Sequence, residues 1–148
     1  MATRLLVASL AILVTSLTPV SARRVVGLES ATIADFNAAF RAGTLTSERL
    51  TELFLARIEA YDRRGPALRA LIEVNPSARE TARALDIERR VKGARSRLHG
   101  IPVVLKDNID TRDMPTTGGS VLLEGSVPPD DAFVVAKLRA AGAIIIGK

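Results

Sequence analysis

The sequence predicts an α/β fold in which N-terminal helices are followed by the start of a mixed, largely parallel sheet flanked by helices. Three observations support this prediction. Apolar residues recur at helical spacing between residues 32 and 92, short apolar runs follow at 101–105 and 143–146, and a helical pattern lies between those two runs. A strand, a crossover helix and a second strand normally form a right-handed unit with parallel strands.

Cap and stop residues place the first two helices. Thr32 followed by Asp35 has the form of a capping pair, and Gly43 supplies a stop for the first helix. A second helix begins directly afterwards, with Thr46 or Ser47 as its N-cap. The predicted inward faces consist of Ile33, Phe36 and Phe40 in the first helix and of Leu50, Leu53, Phe54, Ile58 and Tyr61 in the second.

A short strand and a third helix are predicted next. Leu68–Val74 has the apolar content of a strand, and Asn75-Pro76 places a cap residue before a proline at the first helical position. This helix extends to about Lys92, and Asp86 and Arg90 are spaced for an ion pair along it. Its predicted inward residues are Ala78, Ala82, Leu85 and Val91.

The crossover helix lies between the two apolar runs. Pro128-Pro129-Asp130-Asp131 ends the preceding loop and caps this helix, and Gly142 ends it. Val134, Val135 and Leu138 form its predicted buried side. No Gly-x-Gly-x-x-Gly motif follows either apolar run, so we do not expect dinucleotide binding.

The composition excludes several kinds of functional site. The sequence has no cysteine and one histidine, which excludes thiol nucleophiles, zinc–thiolate centres and multi-histidine metal centres. The acidic turn Asp107–Asp113 lacks the ligand spacing of an EF-hand, so we expect its side chains to cap their own backbone. The 21 basic and 16 acidic side chains are intermixed, and only 3% of residues are aromatic. We therefore predict no metal, no cofactor and no nucleic-acid partner.

Residues 1–22 have the pattern of a secretory signal peptide. Arg4 provides a positive start, Leu5–Leu17 is apolar, and Val20-Ser21-Ala22 fits a cleavage site. We predict cleavage after Ala22, a secreted or periplasmic mature chain of residues 23–148, and no stable membrane anchor after cleavage. An uncleaved anchor is the alternative, although the apolar run is shorter than the roughly 20 residues that span a bilayer.

Lys106 is the candidate catalytic group, because it closes a strand that we expect to be buried on both faces. Its residue type leaves two interpretations open: a strand-end charge that pairs with Asp107 in solvent, or a partly desolvated amine. Burial disfavours the charged form of an amine and lowers its pKa, so a desolvated lysine accepts a proton near pH 7. A lysine in such surroundings would act as a general base.

Four ordered segments resemble the amidase signature family. They match its Leu-His-Gly-Ile-Pro-hydrophobic-Lys-Asp-Asn segment, its Thr-Thr-x-Gly-Ser loop, its Asp-Ala-x-hydrophobic helix and its Gly-Ala-hydrophobic-Gly-Lys strand. In this sequence they are Leu98–Asn108, Thr116–Ser120, Asp131–Val135 and Gly142–Lys148. The resemblance continues more weakly back to about Thr46, and it implies that the mature chain is the N-terminal part of an amidase-signature domain.

The resemblance implies hydrolysis of a carboxamide C–N bond by a Ser-cisSer-Lys triad. In the family, a serine attacks the carbonyl, a second serine that follows a cis peptide bond assists it, and the lysine finally accepts the proton. Lys106 matches that lysine, and the implied substrates are small-molecule or peptide amides. The loop residues with an implied supporting role at the active site are Thr116, Thr117, Gly118, Gly119 and Ser120.

The two serines of the triad have no counterpart in the 148 residues. The family's Gly-Ser-Ser-Gly-Gly segment is absent, and neither Ser120 nor Ser126 lies in such a context. We therefore expect an N-terminal fragment that is inactive in isolation. Two alternatives stay open: a noncatalytic secreted binding module, and a glutamine amidase of the amidotransferase type, whose intracellular role conflicts with the leader. A Ser120–His99–Asp triad is not expected, because His99 precedes the strand and Asp107 follows it.

Overall fold

The computed structural model of this chain describes residues 27–148, so the predicted signal peptide lies outside the described residues. Its helices and strands, in chain order, are α1 (Ile33–Arg41), α2 (Ser47–Ile58), α3 (Ala78–Lys92), β1 (Pro102–Val104), α4 (Phe133–Ala140) and β2 (Ile144–Gly147). A π-helical turn at Glu59–Arg63 continues α2, and a 3₁₀ turn at Val121–Leu123 precedes α4. Within residues 27–148, no helix combines the length and the apolar character needed to cross a membrane.

The predicted caps of α1 and α2 are confirmed. The Thr32 hydroxyl accepts the Asp35 backbone N–H at 3.2 Å, and the Asp35 carboxylate accepts the Thr32 backbone N–H at 3.0 Å, which forms a complete capping box. Thr46 caps α2, since its hydroxyl accepts the Arg49 backbone N–H at 3.0 Å. After α1, Gly43 adopts a φ of +66°, which allows the chain to turn directly into α2.

Asp86 stabilises the N-terminus of α2, and the predicted ion pair with Arg90 is wrong. Its two carboxylate oxygens accept the backbone N–H groups of Ser47 and Glu48 at 2.8 and 2.9 Å. These donors have no partner within their own helix, and a negative charge at this end is favoured by the helix dipole. Asp86 therefore links α3 to α2.

The segment Leu68–Val74 is not a strand, contrary to the prediction. Val74 alone forms a bridge, antiparallel to Gly147. Ala67 and Arg69 have left-handed backbone conformations, with φ of 52° and 49°, and these interrupt an extended ladder. Leu71 of this loop lies against Gly147, whereas Leu68 and Ile72 are exposed.

The helix α3 begins at Ala78, later than the predicted start at Asn75-Pro76. The Asn75 side chain forms a turn with the Ser77 backbone N–H at 2.9 Å and donates to the Ile145 carbonyl at 2.9 Å. Asn75 is buried. Its amide therefore ties the entry of α3 to β2, a role that the local sequence pattern does not reveal.

The predicted parallel strand–helix–strand unit is confirmed, with β1 shorter than expected. Pro102 pairs with Ile144 and Val103 with Ile145, and an irregularity then shifts the register. β1 ends at Val104, whose side chain is 53% exposed, so the predicted burial of this strand on both faces is wrong. Lys106 consequently lies beyond the strand and does not close it.

The helix α4 is also positioned by contacts outside itself. Asp131 does not cap it: the carboxylate accepts the Arg112 backbone N–H at 3.1 Å and pairs with the Arg139 guanidinium at 3.0 Å. The helix ends before Gly142, as predicted, where φ is +85°. A Cβ at Gly142 would lie 2.8 Å from the His99 ring, so this position also requires a glycine for close packing.

β2 forms the centre of the core, with apolar residues on both faces. The clusters are Ala78, Ala82, Leu85, Ile144 and Ile146 against α3; Leu105, Met114, Val135 and Ile145 against α4; and Phe36, Phe40, Leu50 and Ile101 between α1 and α2. Four residues predicted to point inward are exposed, namely Ile33, Tyr61, Val91 and Val134. Ile33, Val91 and Val134 lie in terminal turns, and Tyr61 lies in the π-helical turn, where the helical period changes.

The His99–Gly100 segment connects these layers. The His99 ring is fully buried: Nδ1 accepts the Arg95 backbone N–H at 3.1 Å, and Nε2 faces the Leu85 carbonyl at 2.9 Å, which assigns the proton to Nε2. The Arg89 guanidinium stacks 4.4 Å from the Phe40 ring and donates to the His99 carbonyl at 2.6 Å. The segment that leads into β1 is therefore held by α3 and α1.

We predict that Gly100→Ala destabilises the protein more than Gly43→Ala. Both positions have positive φ, of 80° and 66°, but a Cβ at Gly100 would overlap Ser47 and lie 2.8 Å from the Arg89 guanidinium, whereas Gly43 has open space. The backbone strain costs about 1–2 kcal/mol in each variant, and the overlap adds about 1–3 kcal/mol in Gly100→Ala. Urea denaturation of both variants measures the difference, and equal losses would contradict the packing argument.

Candidate functional site

Lys106 lies in a turn whose backbone is fixed on both sides. The Leu105 backbone N–H donates to the Gly147 carbonyl at 3.1 Å, and the Ile109 backbone N–H donates to the Lys106 carbonyl at 3.0 Å. The Lys106 side chain itself is exposed among residues 27–148. Residues 27–148 therefore do not form the desolvated surroundings predicted for this amine. The Lys106 backbone, by contrast, is held in place.

Asp107 holds the loop at 116–120 next to Lys106. Its Oδ2 accepts the Thr117 backbone N–H at 3.0 Å and also accepts the Thr117 hydroxyl. The prediction that this acidic turn caps its own backbone is thus wrong for Asp107, because its partner lies ten residues away. Asp107 is 8% exposed, and its Oδ1 is buried without a hydrogen-bond partner in the described part of the chain.

The loop predicted to support the site is organised around Thr117. The Thr117 hydroxyl oxygen accepts the Gly119 backbone N–H at 3.0 Å, and its carbonyl accepts the Ser120 backbone N–H at 3.0 Å. Thr117 is buried, whereas Gly118, Gly119 and Ser120 are exposed. The structure therefore brings this loop to the segment that carries Lys106, with an exposed tip of two glycines and a serine.

Lys148 is a site residue that the sequence reasoning missed. It is 3% exposed, and its ammonium donates to the Pro115 carbonyl at 2.7 Å and to the Thr116 hydroxyl at 2.6 Å. Burial is the property that we expected of Lys106. A sequence signal existed, because Lys148 also follows an apolar strand, but the resemblance directed attention to the other lysine.

Burial and charge act on Asp107 and Lys148 in opposite ways. Burial acts to raise the pKa of Asp107, but the hydrogen bonds from Thr117 and the nearby Lys148 ammonium outweigh it, and this pKa lies below its usual range. Burial lowers the pKa of Lys148, although the carboxylates of Asp107, Asp110, Asp113 and Glu73 oppose this effect. The two groups therefore influence each other through their charges, without a direct ion pair between them.

The remaining candidates do not join this site. Both ring nitrogens of His99 face main-chain groups, so His99 is not oriented toward Ser120 as a base. Within residues 27–148, no group of three or more histidine, cysteine or acidic side chains is arranged to hold a metal ion. Within the described residues, the candidate site consists of Lys106, the loop at 116–120, and Asp107 and Lys148, which hold this loop.

Comparison with known proteins gives matches over the same region. The chain is 50% identical to the native peptide amidase from Stenotrophomonas maltophilia, with a TM-score of 0.78, covering 80% of this chain and 24% of that one. It is 47% identical to a probable amidase of Arabidopsis thaliana over 82% of this chain and 24% of the relative. It is 45% identical to the A component of the glutamyl-tRNA(Gln) amidotransferase of Chloroflexus aggregans over 79% of this chain and 24% of the relative.

This chain thus spans about a quarter of the length of the relatives that it matches, as their coverage of 24% shows. The family model described as Amidase matches residues 49–148, which is more than half of the chain. That match includes β1, β2, Lys106 and the 116–120 loop. The agreement in sequence and in fold shows that this chain belongs to the amidase family.

Proposed function

We propose that this chain supplies the lysine-bearing part of an amidase that hydrolyses carboxamide C–N bonds. One observation carries the proposal: Lys106 lies in a segment that matches the family, beside a loop that Asp107 anchors in place. The matched relatives are about four times as long, since the chain covers 24% of them. The serines of the triad and the cover over Lys106 would then come from sequence outside the 148 residues.

In this proposal, the Lys106 amine is the final proton acceptor once sequence outside the 148 residues covers it, because desolvation favours the neutral amine. A serine oxygen attacks the amide carbonyl carbon, and its proton passes through the second serine to the Lys106 Nζ. Collapse of the tetrahedral intermediate breaks the C–N bond, and the proton leaves with the amine or ammonia. Water then hydrolyses the acyl-serine and releases the acid. The fixed backbone on both sides of Lys106 would keep its amine within reach of the serines.

Peptide amides are the substrates that we propose first, because the chain is 50% identical to a peptide amidase. A glutamine amidase is the second candidate, because the chain is 45% identical to a component of a glutamyl-tRNA(Gln) amidotransferase. Both candidates release ammonia from a primary amide, so the same Lys106 chemistry serves either one. Ammonia release from an amidated dipeptide and from free glutamine would distinguish them.

We predict that Lys106→Ala in the complete gene product lowers the rate of ammonia release from its amide substrate by about 10²–10⁴-fold, because the proton acceptor is lost. Circular dichroism should show retained folding, since the Lys106 side chain makes no hydrogen bond or ion pair within residues 27–148. Lys92→Ala, at an exposed lysine in the last turn of α3, is the matched control and should retain the parent rate.

An unchanged rate in Lys106→Ala would contradict the proposed role. If the parent protein hydrolysed none of the amides tested, that result would favour a noncatalytic binding module. The 148-residue chain expressed alone should show no turnover, because it contains no Gly-Ser-Ser-Gly-Gly segment. Turnover by that chain would show that the triad assignment is wrong.

We also propose that the protein is exported with residues 1–22 as a signal peptide. The support is the order of a positive start, the apolar run Leu5–Leu17 and the small residues before Arg23. Export would place the substrate outside the cytoplasm and would disfavour a role in tRNA-dependent amidation.

We predict that the exported protein begins at Arg23, which N-terminal sequencing of the secreted or periplasmic fraction would establish. Leu10→Arg places a charge in the apolar run and should retain the protein in the cytoplasm with Met1 or Ala2 at its N-terminus. A parent protein that stays in the cytoplasm with an intact N-terminus would contradict the proposal.

A further inference from the structure

Lys148 joins two segments around the candidate site. Its backbone N–H donates to the Glu73 carbonyl at 2.9 Å, and its carbonyl accepts the Glu73 backbone N–H at 3.2 Å. Its side chain extends to the loop, where the ammonium binds the Pro115 carbonyl at 2.7 Å and the Thr116 hydroxyl at 2.6 Å. The backbone and the ammonium of this buried residue are thus both fixed. The Lys148 side chain connects the segment that contains Glu73 to the loop.

Two groups of opposite charge anchor the loop, and they bind adjacent loop residues. Lys148 binds Thr116, and Asp107 binds Thr117 through its backbone N–H and its hydroxyl. Asp107 is also the chain neighbour of Lys106. The Asp107 Oδ1 has no hydrogen-bond donor within residues 27–148, so the Lys148 ammonium contributes charge compensation to this carboxylate.

We propose that Lys148 is a positioning residue of the amidase site. It holds the loop at 116–120 in place beside Lys106. Its effect on catalysis rests on the proposed function, whereas its effect on the loop does not. The role follows from the geometry, because the Lys148 ammonium donates to the Pro115 carbonyl and the Thr116 hydroxyl, and Asp107 binds the next loop residue. Proton transfer is assigned to Lys106.

Loss of the Lys148 ammonium would act on the loop and on Lys106 together. The Pro115 carbonyl and the Thr116 hydroxyl would lose their donor, and Asp107 would lose a compensating charge. A displacement of about 1 Å in a catalytic group lowers a rate by about 10²-fold. Because Lys148 is buried beneath the loop, its removal should lower kcat more than it changes KM.

The test uses the complete gene product with Lys148→Met, Lys148→Arg and the control Lys92→Met, at an exposed lysine of α3. For hydrolysis of an amidated dipeptide, Lys148→Met should lower kcat by about 10–100-fold while KM changes by less than about threefold. Lys148→Arg keeps the charge and the donors, so it should recover part of kcat. Lys92→Met should behave as the parent.

Hydrogen–deuterium exchange measures the loop without relying on catalysis. In Lys148→Met, the segment at 115–120 should exchange at least about tenfold faster, while the β2 segment at 144–146 should remain protected. If Lys148→Met does not fold, Thr116→Val removes the hydroxyl that accepts from Lys148 and donates to the Ile109 carbonyl at 3.5 Å, and it should change kcat and exchange in the same direction to a smaller extent. If the parent hydrolyses no amide, the proposed function fails and the exchange measurement alone decides the positioning role.

Unchanged exchange at 115–120 in Lys148→Met would overturn the inference. So would a raised KM with an unchanged kcat, which indicates a substrate-binding residue. A loss of kcat as large as that of Lys106→Ala, without faster loop exchange, would instead assign Lys148 to proton transfer.

Discussion

β2 packs Ile144 and Ile146 against α3 on one face and Ile145 against the α4 side on the other. A shift of this strand by one residue would turn every side chain to the opposite face. This register places Gly142 against His99 at one end of β2 and Lys148 beneath the loop at the other. The candidate site therefore depends on the packing of β2, although Lys106 lies elsewhere in the chain.

The local signals of the sequence predicted most of the architecture. The caps of α1 and α2 are made by residues three positions apart, and the strand–helix–strand unit follows from two apolar runs and a stop at Gly142. These features depend on neighbours along the chain. Three of the wrong predictions involve side chains whose partners lie far away in sequence, because Asp86, Asp131 and Asn75 all bind backbone groups of other segments.

The candidate site, like the fold, was predicted only where neighbours along the chain determine it. Resemblance located Lys106 and the 116–120 loop, and the structure brings their segments together through Asp107. The burial of each lysine could not be predicted from its flanking residues, because both lysines follow an apolar strand. β1 is the outer strand with an exposed Val104, whereas β2 is enclosed, and each lysine shares the exposure of its strand.

The difference between the two lysines suits two different tasks. A final proton acceptor must be reached by the serines that pass the proton to it, and the Lys106 amine is open to such partners within the described residues. A group that fixes a loop works best when it is desolvated, because its charged hydrogen bonds are then stronger. Lys148 meets that second requirement, with two loop acceptors and an acidic neighbour. Asp107 connects the two tasks, since it follows Lys106 directly in the chain and binds Thr117, the neighbour of the Thr116 that Lys148 binds.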